Sequence, residues 1–529
     1  MLAAACLAAA ANAGRAADVP LQTIALAPDQ RAPSTPAAVY FSGFDLPQVS
    51  AAGQVMYGAH FQGPGVQGHG LYLATSGVSS LFVRNDTAAP GTVGPARFEE
   101  PLWQVPYLIG EGKVAFTSKL VGGDTTPSND YGLWTGEAND LQLIARKGDA
   151  APGLPAGVTT LVPFINAANS AGQIVYSSVL EGPGVNNPNY AAFWRAAGAN
   201  VEPLVYVGMQ APALDPGVQF SYLGQTDPTL NEAGVSAFAG RVQGPGVTFG
   251  INDTAVWTGL PGALDLVVRS DDPVPGAEPG MRFRLANDGV SAPSVGESGE
   301  VTFLADFVTP ADGGKGGTAI FLESGGGLQM VARTGDAAPG LPAGVTYHDL
   351  GDPSVANGQV LFRTSVLGPG VTIDTMQALY LGVPGAVELL LRSGDPLVGH
   401  PEMQWFELPN VYAVNDAGQI ALHGFVQTSS GLAQGIFVRQ PDGSVLEIAR
   451  AGEAIEVAPG DFRVVRELWM SSQGQAFNNQ GDLAFRAFFE DFSDAVVLAH
   501  VPEPCGALLA GLGAVLVGGW RFSRARRLN

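Results

Sequence analysis

The sequence predicts an all-β protein: an eight-bladed β-propeller of four-stranded blades, closed by an N-terminal strand and followed by a C-terminal transmembrane helix. Three observations predict the propeller. Residues 141–157, LQLIARKGDAAPGLPAG, return at residues 328–344 as LQMVARTGDAAPGLPAG with only three substitutions. A glycine-led alternating strand recurs eight times at a spacing near 60 residues, from Gly53 to Gly481. The first and last units are incomplete in complementary ways. Fixed-period self-similarity of this kind marks a repeat architecture, and four short strands per period fit a propeller blade.

Composition sets the outer limits. The 529 residues are 46% hydrophobic and only 14% charged, which supplies a core and excludes a polar disordered chain. Glycine (71) and proline (39) are abundant without a collagen period, as many tight turns between short strands require. With 26 Lys and Arg against 48 Asp and Glu, the net charge is −22. That surface repels the phosphates of nucleic acids, so no nucleic acid partner is expected. Cys6 and Cys505 lie in the apolar terminal segments. The globular part therefore has no disulfide and no thiolate zinc site.

Residues 1–17 read as a secretory signal peptide. MLAAACLAAAANA is apolar and rich in small residues, with small-x-small cleavage sites at Ala11-Asn12-Ala13 and Arg15-Ala16-Ala17. It lacks a basic n-region. Residues 18–500 are the repeat domain. Its marker strands begin at Gly53, Gly112, Gly172, Gly234, Gly299, Gly358, Gly418 and Gly481, often after Asn or Asp, as in Asn415-Asp416-Ala417-Gly418. Asn and Gly tolerate the left-handed backbone of a tight turn. A loop, often Gly-Pro-Gly-Val, leads to a short aromatic strand such as GLWT from Gly132 or TAVW from Thr254. Next comes a strand ending in Arg146, Arg269, Arg333, Arg392 or Arg450, then a Gly/Asp turn and a Pro/Gly exit into a weaker fourth strand. The eighth unit lacks its arginine-ended strand, and LQTIALAPDQ from Leu21 matches that strand in register. The start of the chain is thus expected to complete the last blade and remove a bare sheet edge. The period is long for a blade, so some loops are extended; the competing arrangement is an open β-array or two packed halves.

Residues 501–529 form a tail with its own logic. Val501-Pro502-Glu503-Pro504 precedes an apolar run, Cys505 to Trp520, and then Arg521, Arg524, Arg526 and Arg527. The run of about 16 residues is expected to enter the bilayer as a helix extended by Phe522 and snorkelling arginines, although a comfortable span takes roughly 20. The arginines would hold its end in the cytoplasm. Pro502, Glu503 and Pro504, with the helix and arginine cluster behind them, resemble a PEP-CTERM sorting signal of exported Gram-negative proteins. The resemblance covers only the last 29 residues. It implies recognition and cleavage by a membrane-bound exosortase, inner-membrane anchoring before processing, delivery to the cell surface or extracellular matrix, and association with exopolysaccharide. The body of the chain resembles repeat-rich exported bacterial proteins with N-x-x-G-x-(V/I)-x-F strands, which supplies no activity.

No catalytic motif stands out. Asp149, Asp336 and Asp395 follow the arginines, but their spacing is not that of a calcium loop; they are better read as turn-closing residues. His60, His69, His348, His400, His423 and His500 make no HExxH or HxH pattern and are expected in core or loops. There is no GxSxG elbow or phosphate loop. Glu99/Glu100 and Asp271/Asp272 are adjacent carboxylates whose facing geometry sequence does not give. The tryptophans Trp103, Trp134, Trp194, Trp257, Trp405, Trp469 and Trp520 invite a sugar-stacking reading; most sit in strand cores, where packing between blades explains them, and loop-proximal rings are left as candidates to line the ring's mouth. No catalytic residue, metal ligand or cofactor is assigned. The expected function is a noncatalytic surface or matrix scaffold that binds glycan or envelope partners; the alternative is an exported propeller hydrolase or lyase of glycans, for which converging acids or histidines at the central channel would speak.

Overall fold

Each glycine-led repeat folds as the second strand of one antiparallel sheet, and eight such sheets form the blades of a propeller. The structure is a computed structural model. It describes residues 19–503 except 95, 102–103, 186–190, 225, 286–288, 309–315 and 472–474. In the third blade the order from the axis outward is Thr159–Thr160 with Phe164–Ala168, then Gln173–Glu181, Ala191–Ala197 and Asn200–Tyr206. The weak fourth strand of the sequence pattern is thus the innermost one, broken in two in six blades. The arginine-ended strand is outermost.

The last blade is composite. Asp461–Trp469, Asp482–Phe489 and Asp494–His500 come from the C-terminal side, and Leu21–Ala27 pairs antiparallel with Asp494–His500, Leu21 opposite Ala499 and Leu26 opposite Ala495. Ring closure by the first strand is therefore as expected from the offset of the repeats. Ile24 and Ala25 pack with Phe41, Tyr57 and Tyr72 of the first blade and with Val496 of the last, so the join is as apolar as any other seam. Antiparallel order puts the connectors between blades and the Gly-Pro-Gly-type loops on one face. The turns between first and second strands lie on the opposite face, and the chain leaves that face at Val501, whose N–H bonds Gly481 O at 2.8 Å.

The core repeats with the sequence. In the first, second, fourth, fifth and sixth blades the aromatic of the third strand stacks on one from the second strand and meets one from the innermost strand edge-on. Trp257 lies 6.1 Å from Phe238 (stacked) and 4.7 Å from Phe220; Tyr380 lies 5.6 Å from Phe362 (stacked) and 5.3 Å from Tyr347. A register shift falls just before this aromatic in blade after blade, at Leu133/Trp134, Phe193/Trp194, Val256/Trp257 and Leu379/Tyr380. Such bulges increase the local twist.

The repeated AAPGLPAG is the connector between blades. Ala150 bridges Thr159, and Ala151 N–H bonds Val158 O at 3.0 Å, turning the outermost strand of one blade into the innermost strand of the next. The proline carbonyl then accepts a bond from the buried aromatic of the blade it enters: Trp134 Nε1 to Pro90 O (3.0 Å), Trp194 Nε1 to Pro152 O (3.0 Å), Trp257 Nε1 to Pro212 O (3.3 Å) and Tyr380 Oη to Pro339 O (3.0 Å). The turn before it needs a positive φ. Gly148 supplies φ 86°, and a Cβ there would lie 2.7 Å from Ser128 O; Asp271 takes the same place in its blade at φ 73°.

The expected C-terminal transmembrane helix is corrected. Among the described residues no helix is long and apolar enough to cross a membrane, and the helical segment Ile373–Thr375 is a single 3-10 turn. The apolar run was already short of the roughly 20 residues that a span takes. The segment Cys505–Trp520 lies outside the described residues, as do the signal peptide 1–17, Pro504, and Arg521, Arg524, Arg526 and Arg527.

The connector bond sets up a paired test. Tyr72 occupies the same core position as Tyr380, but its buried hydroxyl has no partner. Tyr380→Phe is expected to cost about 1 kcal/mol of unfolding free energy, while Tyr72→Phe is neutral or stabilising because a desolvated hydroxyl is removed; urea denaturation of the two variants checks the contrast.

Candidate functional site: an aromatic–arginine platform and an acidic channel

The chemistry-bearing residues of the repeats are mostly occupied by the fold. Arg146 Nε bonds Asn129 O at 2.9 Å, Arg269 Nε bonds Asn252 O at 2.7 Å and Arg392 Nε bonds Thr375 O at 2.8 Å. Each outermost strand is thereby tied to a loop of its own blade. Arg146 also grips Asp124 with two bonds of 3.0 and 3.1 Å, and this holds the Asp124 carboxyl below its usual range. Asp336 accepts from Arg333 at 2.9 and 3.1 Å. Asp149 and Asp395 are pushed up by burial, with Arg146 and Arg392 acting against the rise. Asp149, Asp336 and Asp395 sit at the turns of different blades and are not brought together. Among the described residues no three or more His, Cys, Asp or Glu side chains converge as a metal cluster.

The Asn of the N-x-x-G turn has two tasks. Asn169 Oδ1 accepts Gln173 N–H within its own turn (2.9 Å), and its Nδ2 donates to Asn231 O of the next blade (2.8 Å). Asn231 to Gly296 O, Asn415 to Asn478 O and Asn478 to Ser50 O continue the belt, the last crossing from the final blade to the first. The residue after the Asn position adds a second row: Glu232 accepts from Ser170, and Glu297 accepts Glu232 N–H at 3.0 Å.

This belt rims a central channel of 690 Å³, lined by innermost strands of six blades. Four carboxylates face it, Asp227, Glu297, Asp352 and Asp416, and no histidine is among its lining residues. Burial raises Glu297, and the charges of Glu232, Asp416 and Glu300 add to the rise, while the Glu232 N–H it accepts works the other way. Acids thus line the axis, and Asp416 is the channel carboxylate whose charge acts on Glu297. Glu99/Glu100 and Asp271/Asp272 lie elsewhere: Glu99 pairs with Lys119 at 2.7 Å, and Asp271 faces Arg282 at 3.8 Å.

The tryptophans separate into two groups. Trp134, Trp194, Trp257 and Trp405 are fully buried, as the packing account expects; Trp103 and Trp520 lie outside the described residues. Trp469 is different. It is half-buried at the end of the last blade's innermost strand, with the Arg486 guanidinium 4.9 Å above its ring. Phe488 lies 6.5 Å from Trp469 and 6.3 Å from Phe492, which is 71% exposed. Arg466 stands 5.9 Å from Phe488 and 5.5 Å from Phe492. The result is a row of aromatic faces interleaved with two guanidiniums, on the loop face opposite the chain's exit. Neighbouring rings with accessible apolar faces and fixed donors suit flat, hydroxyl- and carboxylate-bearing ligands. Arg486 is fixed from behind by Asp494, with bonds of 2.8 to 3.1 Å, and Asp494 also accepts Phe44 N–H of the first blade at 3.0 Å. Burial raises Asp494, partly offset by Arg486. A smaller relative of the platform occurs on the fourth blade, where Arg241 lies 5.9 Å from Tyr222 and 5.7 Å from the exposed Phe249. Sequence reasoning did not single out Trp469 from the other tryptophans. The nearby Arg466 and the exposed Phe492 of a loop were the available signal.

A family model described as "Family of unknown function (DUF7453)" matches residues 9–227, 155–380 and 216–508, placements that overlap as a repeat allows. No curated protein matches the chain. Among solved structures it is similar to the β-propeller domain of the Trilobed protease from Pyrococcus furiosus, at 9% identity and a TM-score of 0.37, over 77% of this chain and 98% of that one. It is similar to the Pyrococcus horikoshii acylaminoacyl peptidase at 8% identity and 0.34, over 77% of this chain and 52% of that one. A polysaccharide lyase of family PL25, an ulvan lyase, follows at 10% and 0.30, over 74% and 90%. Similarity of this degree assigns no activity.

Arg486→Met leaves the buried Asp494 carboxylate with the Phe44 N–H but no counter-charge. A cost of about 3 kcal/mol is expected at neutral pH. The Asp494 pKa is already raised in the native protein and rises further in the variant, so the deficit is smallest where the carboxyl is protonated in both and grows as pH climbs above the usual aspartate range. Thermal melts of both proteins across acid to neutral pH check the sign.

Proposed function

The chain belongs to DUF7453, a family of unknown function, and we propose that it is an exported surface or matrix protein whose propeller is a noncatalytic scaffold for binding exopolysaccharide. The observation that carries this reading is the platform of Trp469, Phe488 and Phe492 with Arg466 and Arg486: large rings held half-exposed on a rigid blade, where burial in the core was the alternative. Export rests on the sequence of the two ends. Pro502 and Glu503 of the sorting motif are exposed, next to the turn at Gly481, and Gln419 Nε2 bonds Pro502 O at 2.9 Å. A processing exosortase would reach the motif on the face opposite the platform, so processing and ligand binding do not compete for surface. In the proposal the exosortase is a transient partner and the polysaccharide the lasting one.

A second reading has its own support in the channel. Glu297, held above the usual carboxylate range by burial in a channel that Asp227, Asp352 and Asp416 also line, has the character of a general acid for cleavage of a glycan entering along the axis.

The two readings diverge in one experiment. The mature protein on a column of its host's exopolysaccharide is expected to be retained and to release no new reducing or unsaturated ends. Trp469→Ala is expected to weaken retention by about 2 kcal/mol, roughly thirtyfold, in quantitative affinity electrophoresis. Release of sugar ends that Glu297→Gln abolishes would replace the scaffold with the enzyme. Tracking the tail by mass in cells with and without an exosortase tests the export half; an identical intact tail in both strains overturns it.

A further inference from the structure

We propose that His60 and His69 form a two-imidazole site for a borderline divalent transition-metal ion, with Zn2+ as the type case, at the seam between the first two blades. The histidines lie directly opposite each other on neighbouring strands, His60 in Val55–Gly63 and His69 in Val66–Thr75. Directly opposed side chains are the closest cross-strand pairs in an antiparallel sheet. Their ring centroids are 6.0 Å apart at an interplanar angle of 62°. Metal–imidazole bonds measure about 2.0–2.1 Å, so side-chain rotation alone lets one ion reach both rings.

The decisive feature is the state of His69. Its Nε2 is buried and has no hydrogen-bond partner, which is costly for a polar atom. The ring's bond to the Glu99 main-chain carbonyl therefore involves Nδ1. A proton fixed on Nδ1 leaves the lone pair on Nε2, the arrangement of metal-ligating histidines whose other nitrogen is held by a carbonyl. His60 is exposed and gives an ion its way in.

The surroundings favour a cation. Asp45 turns its carboxylate over Gly58, two residues before His60 on the same strand face; a Cβ on Gly58 would lie only 2.3 Å from Asp45 Oδ2. Asp45 and Glu100 act electrostatically on His69. Glu99 is neutralised by Lys119. With no third described side chain completing a cluster, the ion takes two protein ligands and keeps water in its other positions. Imidazole pairs of this kind select zinc, copper and nickel over calcium and magnesium. The site is independent of the glycan platform, which lies on another blade.

The test is calorimetric titration of the full mature protein with ZnCl2, together with the thermal midpoint at saturating Zn2+. One ion is expected to bind and to raise the midpoint. His60→Ala, an exposed change that leaves the fold intact, is expected to weaken binding about tenfold or more and to abolish the midpoint rise. His69→Gln should do the same, and far-UV circular dichroism shows whether it folds. His500→Ala, which removes the ring paired with Asp482, should retain both. No binding to the native protein overturns the proposal, as does binding unaffected by His60→Ala or lost in His500→Ala.

Discussion

A propeller is stable only if no blade is left with an open seam, and here that constraint falls on one seven-residue strand. Leu21–Ala27 adds the outer strand to the last blade while Ile24 and Ala25 fill the apolar seam to the first. The same join is crossed by the Asn478 bond to Ser50 O and by the Phe44 N–H on Asp494. Backbone pairing, apolar packing and polar bonds therefore all close at one place, and removing any one would leave buried groups unmatched on both sides.

Repetition explains why the residue types that suggest chemistry are mostly structural. The arginine, the asparagine and the Ala-Pro-Gly connector each satisfy a backbone group that every blade leaves unpaired, so they return in every copy that needs them. Function then belongs to positions where the repeats disagree. One such position lies seven residues after the marker glycine, at the loop-face end of the second strand. It is His60 in the first blade, Lys119 in the second, Arg241 in the fourth and Phe488 in the last. No shared backbone duty constrains it, and it supplies the two-histidine pair, an ion pair with Glu99, a cation–π contact and the platform.

The fold was legible to an unusual depth. The eight markers, the complementary ends and the burial of Trp134, Trp194 and Trp257 all follow from pattern alone, because each blade repeats one local solution to strand pairing and core packing. Two parts were not legible. The sequence order of the four strands does not say which one faces the axis; the weakest turned out to be innermost, where strands are crowded, short and kinked. Trp469 ends an innermost strand, whereas Trp134, Trp194 and Trp257 lie in third strands, and its meeting with Arg486 and Phe488 of the adjoining strand depends on a pairing register that the local sequence does not state. The transmembrane helix rested on an apolar run of marginal length, and among the described residues nothing helical is long enough to span a bilayer.

The sequence by itself determined the number of blades, the order of their strands along the chain and the strand that completes the ring, since periodicity and turn chemistry are local properties. Tertiary structure alone decided which acids line the axis, which tryptophan stays at the surface and which two histidines face each other across a hairpin. Those facts depend on register and on distances between strands that are remote in the chain, and no local pattern encodes a distance of that kind.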